Sequence, residues 1–284
     1  MLDEEHQPLY QQENDTNIYT LGRVGEHNVV VACLPAGQMG TNSAVAVAVQ
    51  IRAIFPSIRF GIIVGIGGGV PSSDTDIRLG DVVVSQPHNG HGGVVQYDFG
   101  KDTPNEFKQT GFLNAPPTIL LNAVEKIKAN RILRKSNLSE ALSRLSSLPI
   151  FVRPTAESNI LFKVNKFRVV ERQPRKSQEI MVHYGTIASS NKVMRSDTSR
   201  GEISSEFGGV LCLEMETAGL QNSFPYFIIW GIYNYANSHK NKDWQAYAAG
   251  TAAAYTTEVL SVIPAKNIGK IKTADEIIKG RNGQ

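Results

Sequence analysis

Apolar positions along the chain change period several times. Short runs rich in β-branched residues read as strands: IYTLGRV (18–24), NVVVACL (28–34), FGIIVGIG (60–67), GDVVVSQP (80–87) and GGVVQYDFG (92–100). HYGTIASS (183–190), VLCLEM (210–215) and FIIWGIYNY (227–235) continue the series. The first two form a hairpin around Gly-Glu-His-Asn, and FGIIVGIG has the unbroken apolar character of a buried strand. Helical spacing occupies TNSAVAVAVQIRAIF (41–55), PPTILLNAVEKIKANRIL (116–133), SEALSRLSSL (139–148), ETAGLQN and WQAYAAGTAAAYTTEVLSVI (244–263). The prolines at 116 and 117 suit a first helical turn, and Leu120, Leu121, Val124 and Ile127 give that helix one apolar face. Strands interleaved with helices predict a single three-layer α/β/α domain on a mixed sheet, over residues 1–264. Residues 134–178 are the least regular part. The final 265–284 is charged and weakly patterned, and reads as a tail or linker.

With 284 residues and 41% hydrophobic content, the chain can bury one large core or two small ones. Cys33 and Cys212 lie in apolar runs and read as reduced core thiols, not a disulfide framework. The acidic, polar start MLDEEHQPLYQQEND is no signal peptide. No window approaches the roughly 18 apolar residues of a membrane span. The expectation is a soluble cytoplasmic protein. Net charge is +3 but uneven: residues 125–176 hold 13 Lys/Arg against four acids, so this stretch is +9 and the remainder −6. Such a stretch suits phosphate or nucleic acid. No zinc-finger spacing or RNA-binding sheet signature accompanies it, so a solvated basic insertion, about 125–178, is the favoured reading.

Two stretches bear on chemistry. In GIIVGIGGGVPSSD (61–74) no helix follows the glycines, as a dinucleotide loop requires, and no Gly-Lys-Ser/Thr makes it a P-loop. Gly65, Gly67, Gly68 and Gly69 instead let a ligand lie against bare backbone at a strand end, or simply form a tight turn. In LCLEMETAGL (211–220), alternation sends Glu214 and Glu216 to one face. A carboxylate there can accept from a vicinal diol such as ribose O2′ and O3′, with Met215 as a soft apolar contact. Equally, the pair suits the positive end of a helix dipole.

Four stretches, VGIGGGVP with LGDVVVS, HYGTIASSNKVM, LCLEMETAGL and GIYNYANSHKNKDWQAYAAGTAAAY, together resemble the nucleoside phosphorylase superfamily. The similarity is to purine/uridine phosphorylases and MTA/SAH nucleosidases, and above all to the fungal NLR-associated domains. It covers roughly 15–264, with ESNILFK (157–163) included. It implies a central mixed sheet partly closed into a barrel, and cleavage of the N-glycosidic bond of a purine nucleoside or nucleotide. It implies no cofactor, inorganic phosphate entering only as a phosphorylase's nucleophile. It also implies a homo-oligomer, because such pockets borrow residues across a subunit interface. By position, Glu216 holds ribose hydroxyls and Met215 lies under the sugar. Gly67 and Gly68 pass the base, Val193 and Met194 form its edge, and Gly40 and Thr41 lie near ribose or the nucleophile.

The departures matter as much. The leaving-group acid belongs at Asn234, in a pattern that usually reads Gly-Ile-Cys-Asp-Tyr-Ala-Asp-Ser-His-Lys-Asn, and here both acid positions, Asn234 and Asn237, are amides. Ile63 and Ile66 stand where phosphorylases carry Arg and Ser, so the resemblance favours hydrolysis over phosphorolysis. Family members also open with a strand ahead of the Asp3-Glu4-Glu5-His6 stretch, so a first strand is expected to be missing. These departures imply impaired catalysis. The alternatives are a noncatalytic nucleoside-binding regulatory module or a truncated fragment of a family protein.

Overall fold

The computed structural model describes residues 1–9, 13, 15–104, 107–155, 158–162, 169–175, 179–220, 224, 226–237 and 242–282. Parts of ESNILFK, of the SHKNK stretch and of the basic segment, including Lys163, Lys166, Arg168 and Lys176, lie outside these residues.

At the N-terminus β1 (Glu4–Glu5), β2 (Tyr19–Val24) and β3 (His27–Ala32) form an antiparallel sheet in that order. The Gly25-Glu26 turn joins β2 to β3, with Gly25 at φ 57°. Helix α1 (Thr41–Ile54) follows. The central sheet uses β4 (Gly61–Gly69), β5 (Val82–Ser85) and β6 (Val94–Gln96). A small outer hairpin, β7 (Gly100–Asp102) and β8 (Phe107–Gln109), precedes helices α2 (Thr118–Ile132) and α3 (Leu138–Ser146). Then come β9 (Val182–Ser189), α4 (Asp197–Glu206), β10 (Val210–Glu214), β11 (Tyr226–Asn234) and α5 (Trp244–Ser261). The chain ends in α6 (Ala265–Ile268) and α7 (Ala274–Asn282).

The strand order is β10-β4-β11-β5-β9-β6, and a further β10–β9 pairing closes the first five into a barrel. β4 and β11 run parallel to each other, and β10 and β5 are antiparallel to them. β9 runs parallel to β5, β6 and β10. This is the expected mixed, barrel-closed sheet. β11 is buried nearly throughout because both its faces are covered. Ile228, Trp230 and Ile232 pack inward with Val83, Ile187 and Cys212. Phe227 and Ile229 pack outward against Leu120, Val124 and Ile127 of α2 and Tyr255 and Val259 of α5. β4 is different. Its edge away from β11 is paired only at Gly68 and Gly69, so Gly61–Gly67 meet no strand there among the described residues, and Val64 is 40% exposed.

Several expectations change. Strand β4 does not end at Gly67 but runs on through Gly68 to Gly69. ETAGLQN shows only a short 3-10 turn, Thr217–Gly219, among its described residues. The polar α4 has no apolar period to announce it; Ser196 caps it by accepting from the Ser199 N–H at 3.2 Å. Cys33 is exposed, and only Cys212 is a core thiol. Residues 265–282 dock by helices: the Ala274 N–H donates to Ile58 O at 2.8 Å, and Arg52 pairs with Asp275 at 3.2 Å. The basic segment supplies buried contacts. Arg175 grips the buried Asp81 with both Nη groups at 2.7 and 2.6 Å, and His183 Nε2 lies 3.0 Å from the same carboxylate. Burial pushes the Asp81 carboxyl up, but Arg175 and His183 outweigh it and hold the pKa below its ordinary value. No helix among the described residues is long and apolar enough to cross a membrane.

Candidate active site

The expected residues converge at one mouth of the barrel, around the ends of β4, β10, β9 and β11. Glu214 closes β10, and its carboxylate folds the following turn. Oε2 accepts from the backbone N–H groups of Glu216 (2.8 Å) and Thr217 (3.0 Å), and Oε1 accepts from the Thr217 hydroxyl at 2.5 Å. The Ala218 N–H donates to Ser189 Oγ at 3.0 Å. Glu214 is therefore occupied in building the turn. Its burial, reinforced by the nearby Glu216 charge, pushes its pKa up to about 7 despite these donors.

Glu216 stands on that turn, half-buried. Only the Met215 N–H donates to it, into Oε2 at 3.1 Å, and Oε1 has no partner among the described residues. The structure divides the acid pair: Glu214 serves the turn's N–H groups, and Glu216 keeps one carboxylate oxygen without a partner among the described residues. Gly40 caps α1 at φ 99°, a conformation that favours glycine. A Cβ there would stand 3.2 Å from Asn191 Oδ1 and 4.0 Å from Met215 O. Asn191 Oδ1 accepts from both the Thr41 N–H (3.2 Å) and the Thr41 hydroxyl (2.9 Å), satisfying an orphan N–H at the start of α1. The Asn191 N–H in turn donates to Asp98 at 2.8 Å. Thr41 is thus tied to a side chain from the end of β9, and Gly40 lies between that side chain and the Met215 carbonyl.

Across the barrel, Gly68 pairs with Leu213 on one side and Asn234 on the other. The β4–β11 register slips between Ile232 and Asn234, so Tyr233 is the extra residue of a bulge, and that bulge brings Asn234 opposite Gly68. Asn234 is buried, and its Oδ1 accepts from the Ala236 N–H at 2.7 Å, which leaves the NH2 as the amide's donor group, one that Tyr233 engages. A Cβ on Gly68 would meet Ala236 Cβ at 2.8 Å and Asn234 Oδ1 at 3.0 Å, and one on Gly67 would meet Cys212 Sγ at 2.4 Å. The space over these glycines is filled by the protein's own elbow and by β10. Met194 packs against the apolar cluster that includes Leu213 and Ala236, whereas Val193 is 45% exposed. Ile63 and Ile66 are half-buried in β4.

Some residues here escaped the sequence reading. Tyr233 hydrogen-bonds Asn234 and lies close enough to feel Glu216 and Arg195, and burial raises its pKa. A signal existed, since the resembling pattern has cysteine at this position. Asp98 lay unmarked in a run read as strand, and nothing local marks it as the partner of Asn191.

A closed five-stranded mixed barrel flanked by helices defines the nucleoside phosphorylase/nucleosidase type of α/β fold. The chain belongs to the phosphorylase superfamily, whose family model matches residues 3–261. It is 45% identical over 276 residues, 93% of its length, to a nucleotide-binding leucine-rich repeat (NLR)-like protein of Hyaloscypha variabilis, and spans 28% of that protein's length. Among solved structures it resembles a putative 5′-methylthioadenosine/S-adenosylhomocysteine nucleosidase of Borrelia burgdorferi bound to adenine. The TM-score is 0.62 at 17% identity, covering 92% of each chain. The corresponding nucleosidase of Neisseria meningitidis gives 0.58 at 16%, covering 92% of this chain and 90% of that one. The futalosine hydrolase of Helicobacter pylori gives 0.53 at 15%, covering 92% and 89%.

Proposed function

We propose that the barrel mouth binds a purine nucleoside or nucleotide and that its chemistry, cleavage of the N-glycosidic bond, is weakened at the leaving-group end. In such a cleavage positive charge builds on the sugar and negative charge on the base, and a catalyst must stabilise both. Glu216, with a free carboxylate oxygen, suits the sugar diol. Asn234 meets the base side with an amide whose oxygen is already bound by Ala236. This single observation carries the reading. An NH2 can hydrogen-bond purine N7 but delivers no proton, and loss of a general acid costs about 10²–10⁴ in rate. Water is favoured over phosphate because Ile63 and Ile66 offer an anion neither charge nor hydrogen bond. The adenine bound in the Borrelia nucleosidase supports the purine class. The same amide favours a second reading, a noncatalytic nucleoside-binding module within a longer NLR-like protein.

The test is chromatographic assay of base release from inosine, adenosine, guanosine and ATP, with and without phosphate. Little or no release is expected from the wild type, and Asn234→Asp should raise it at least tenfold. Rapid wild-type release would overturn the weakened chemistry. A thermal shift with inosine should vanish in Glu216→Ala; its survival would refute the ribose assignment. A shift without release in Asn234→Asp selects the binding module.

A further inference from the structure

A cavity of about 640 Å³ lies apart from that mouth, between the loop after β4, the residues Leu161, Phe162, Val170, Arg172 and Gln173, and the buried Arg200 of α4. None of the candidate-site residues lines it. Its volume falls within the roughly 300–1,000 Å³ typical of small-molecule sites. Pro71, Leu161, Phe162 and Val170 supply an apolar wall. Against it stand three guanidinium groups, Arg78, Arg172 and Arg200, and one carboxylate, Asp76. Asp76 is already divided among Arg78 (2.7 Å), Arg172 (3.4 Å) and Arg175 (3.6 Å).

The cations are held in place but not filled. Arg78 spends Nε on Asp76 and Nη2 on Gln173 O, and its Nη1 has no partner among the described residues. Arg200 donates from Nη1 to Tyr235 O and pairs through Nη2 with Asp197 at 3.1 Å, leaving Nε without a partner among them. Its side chain is only 8% exposed. Neither nitrogen is among the fully buried polar atoms that lack a partner, so both N–H groups stay open to an occupant, and a planar fork of donors matches a carboxylate or phosphate.

We propose that this cavity is a second small-molecule site, for an organic anion that carries an apolar body. The anionic head meets Arg78 and Arg200, and the body lies on Phe162, Leu161 and Val170. The site also grips the elbow. Arg172 donates to the Tyr235 hydroxyl at 2.8 Å and lies 5.2 Å from its ring centroid, while Arg200 holds the Tyr235 carbonyl. An occupant is therefore felt one residue from Asn234.

Isothermal titration with phenyl phosphate, benzoate and neutral benzyl alcohol tests it. Both anions should saturate one site, with benzyl alcohol at least tenfold weaker. Arg78→Gln should weaken the anions at least tenfold. Ser73→Trp, placed on the exposed rim, should block them without lowering the unliganded Tm. The proposal fails if neither anion saturates, if benzyl alcohol matches them, if both variants bind as the wild type does, or if inosine competes. Competition by inosine would put the anions in the barrel mouth.

Discussion

Glu214 and Glu216, two residues apart, illustrate what one position decides. The first is consumed by three donors at the strand end, and the second is left open. Their spacing was legible in the sequence, but the division of labour was not, because it depends on where the backbone turns after β10. Glu214 also sets a pH response. Its folded pKa of about 7 lies above the ordinary 4.5, so the native state takes up a proton between those values that the unfolded chain does not. Its contribution is complete below about pH 4.5 and is lost as pH rises through about 7, an effect on the order of 3 kcal/mol at about 1.4 kcal/mol per pH unit. Glu214→Gln should flatten the fall in Tm between pH 5 and 8 seen by calorimetry; an unchanged slope would assign that fall to another group.

At the scale of elements, the glycines of β4 and β11 are spacers. Gly65 makes room for Trp230, Gly67 for Cys212 and Gly68 for Ala236. From sequence alone these glycines offer bare backbone to a ligand or a tight turn, because nothing local tells which cross-strand side chain fills each gap. Gly231 is the tightest. A Cβ there would fall 1.8 Å from Ala248 O, on the backbone of α5. Helix and strand cannot separate without opening the outer core, so Gly231→Ala should cost about 3 kcal/mol, read as a lower urea midpoint. A wild-type midpoint would mean that α5 shifts freely. The Tyr233 bulge is likewise tertiary. Alternation along FIIWGIYNY does not reveal it, yet it brings Asn234 opposite Gly68.

At the scale of the molecule, the basic segment is partly a fastening. Arg131 reaches the buried Glu258 at 3.4 Å, Arg144 reaches Asp3 at 2.9 Å, and Arg175 reaches Asp81. Removing one partner of a buried pair strands the other charge. Arg175→Gln should therefore cost about 3 kcal/mol, seen as a lower Tm at pH 7. Because the Asp81 pKa is depressed, its contribution is present above the ordinary carboxylate value and fades as pH falls through the folded one, so the variant should approach the wild type in acid. A constant difference down to low pH would exclude this pair as the cause. The sequence by itself determined the alternation of strands and helices, the mixed-sheet class and the amides at 234 and 237, since period and side-chain chemistry are local properties. Only the tertiary structure decided that β10 closes onto β9, which acid the turn after β10 consumes, what fills the space over the β4 glycines, and that Arg78, Arg172 and Arg200 share a cavity. Each of these turns on register and on contacts between residues far apart in the chain, which no local pattern encodes.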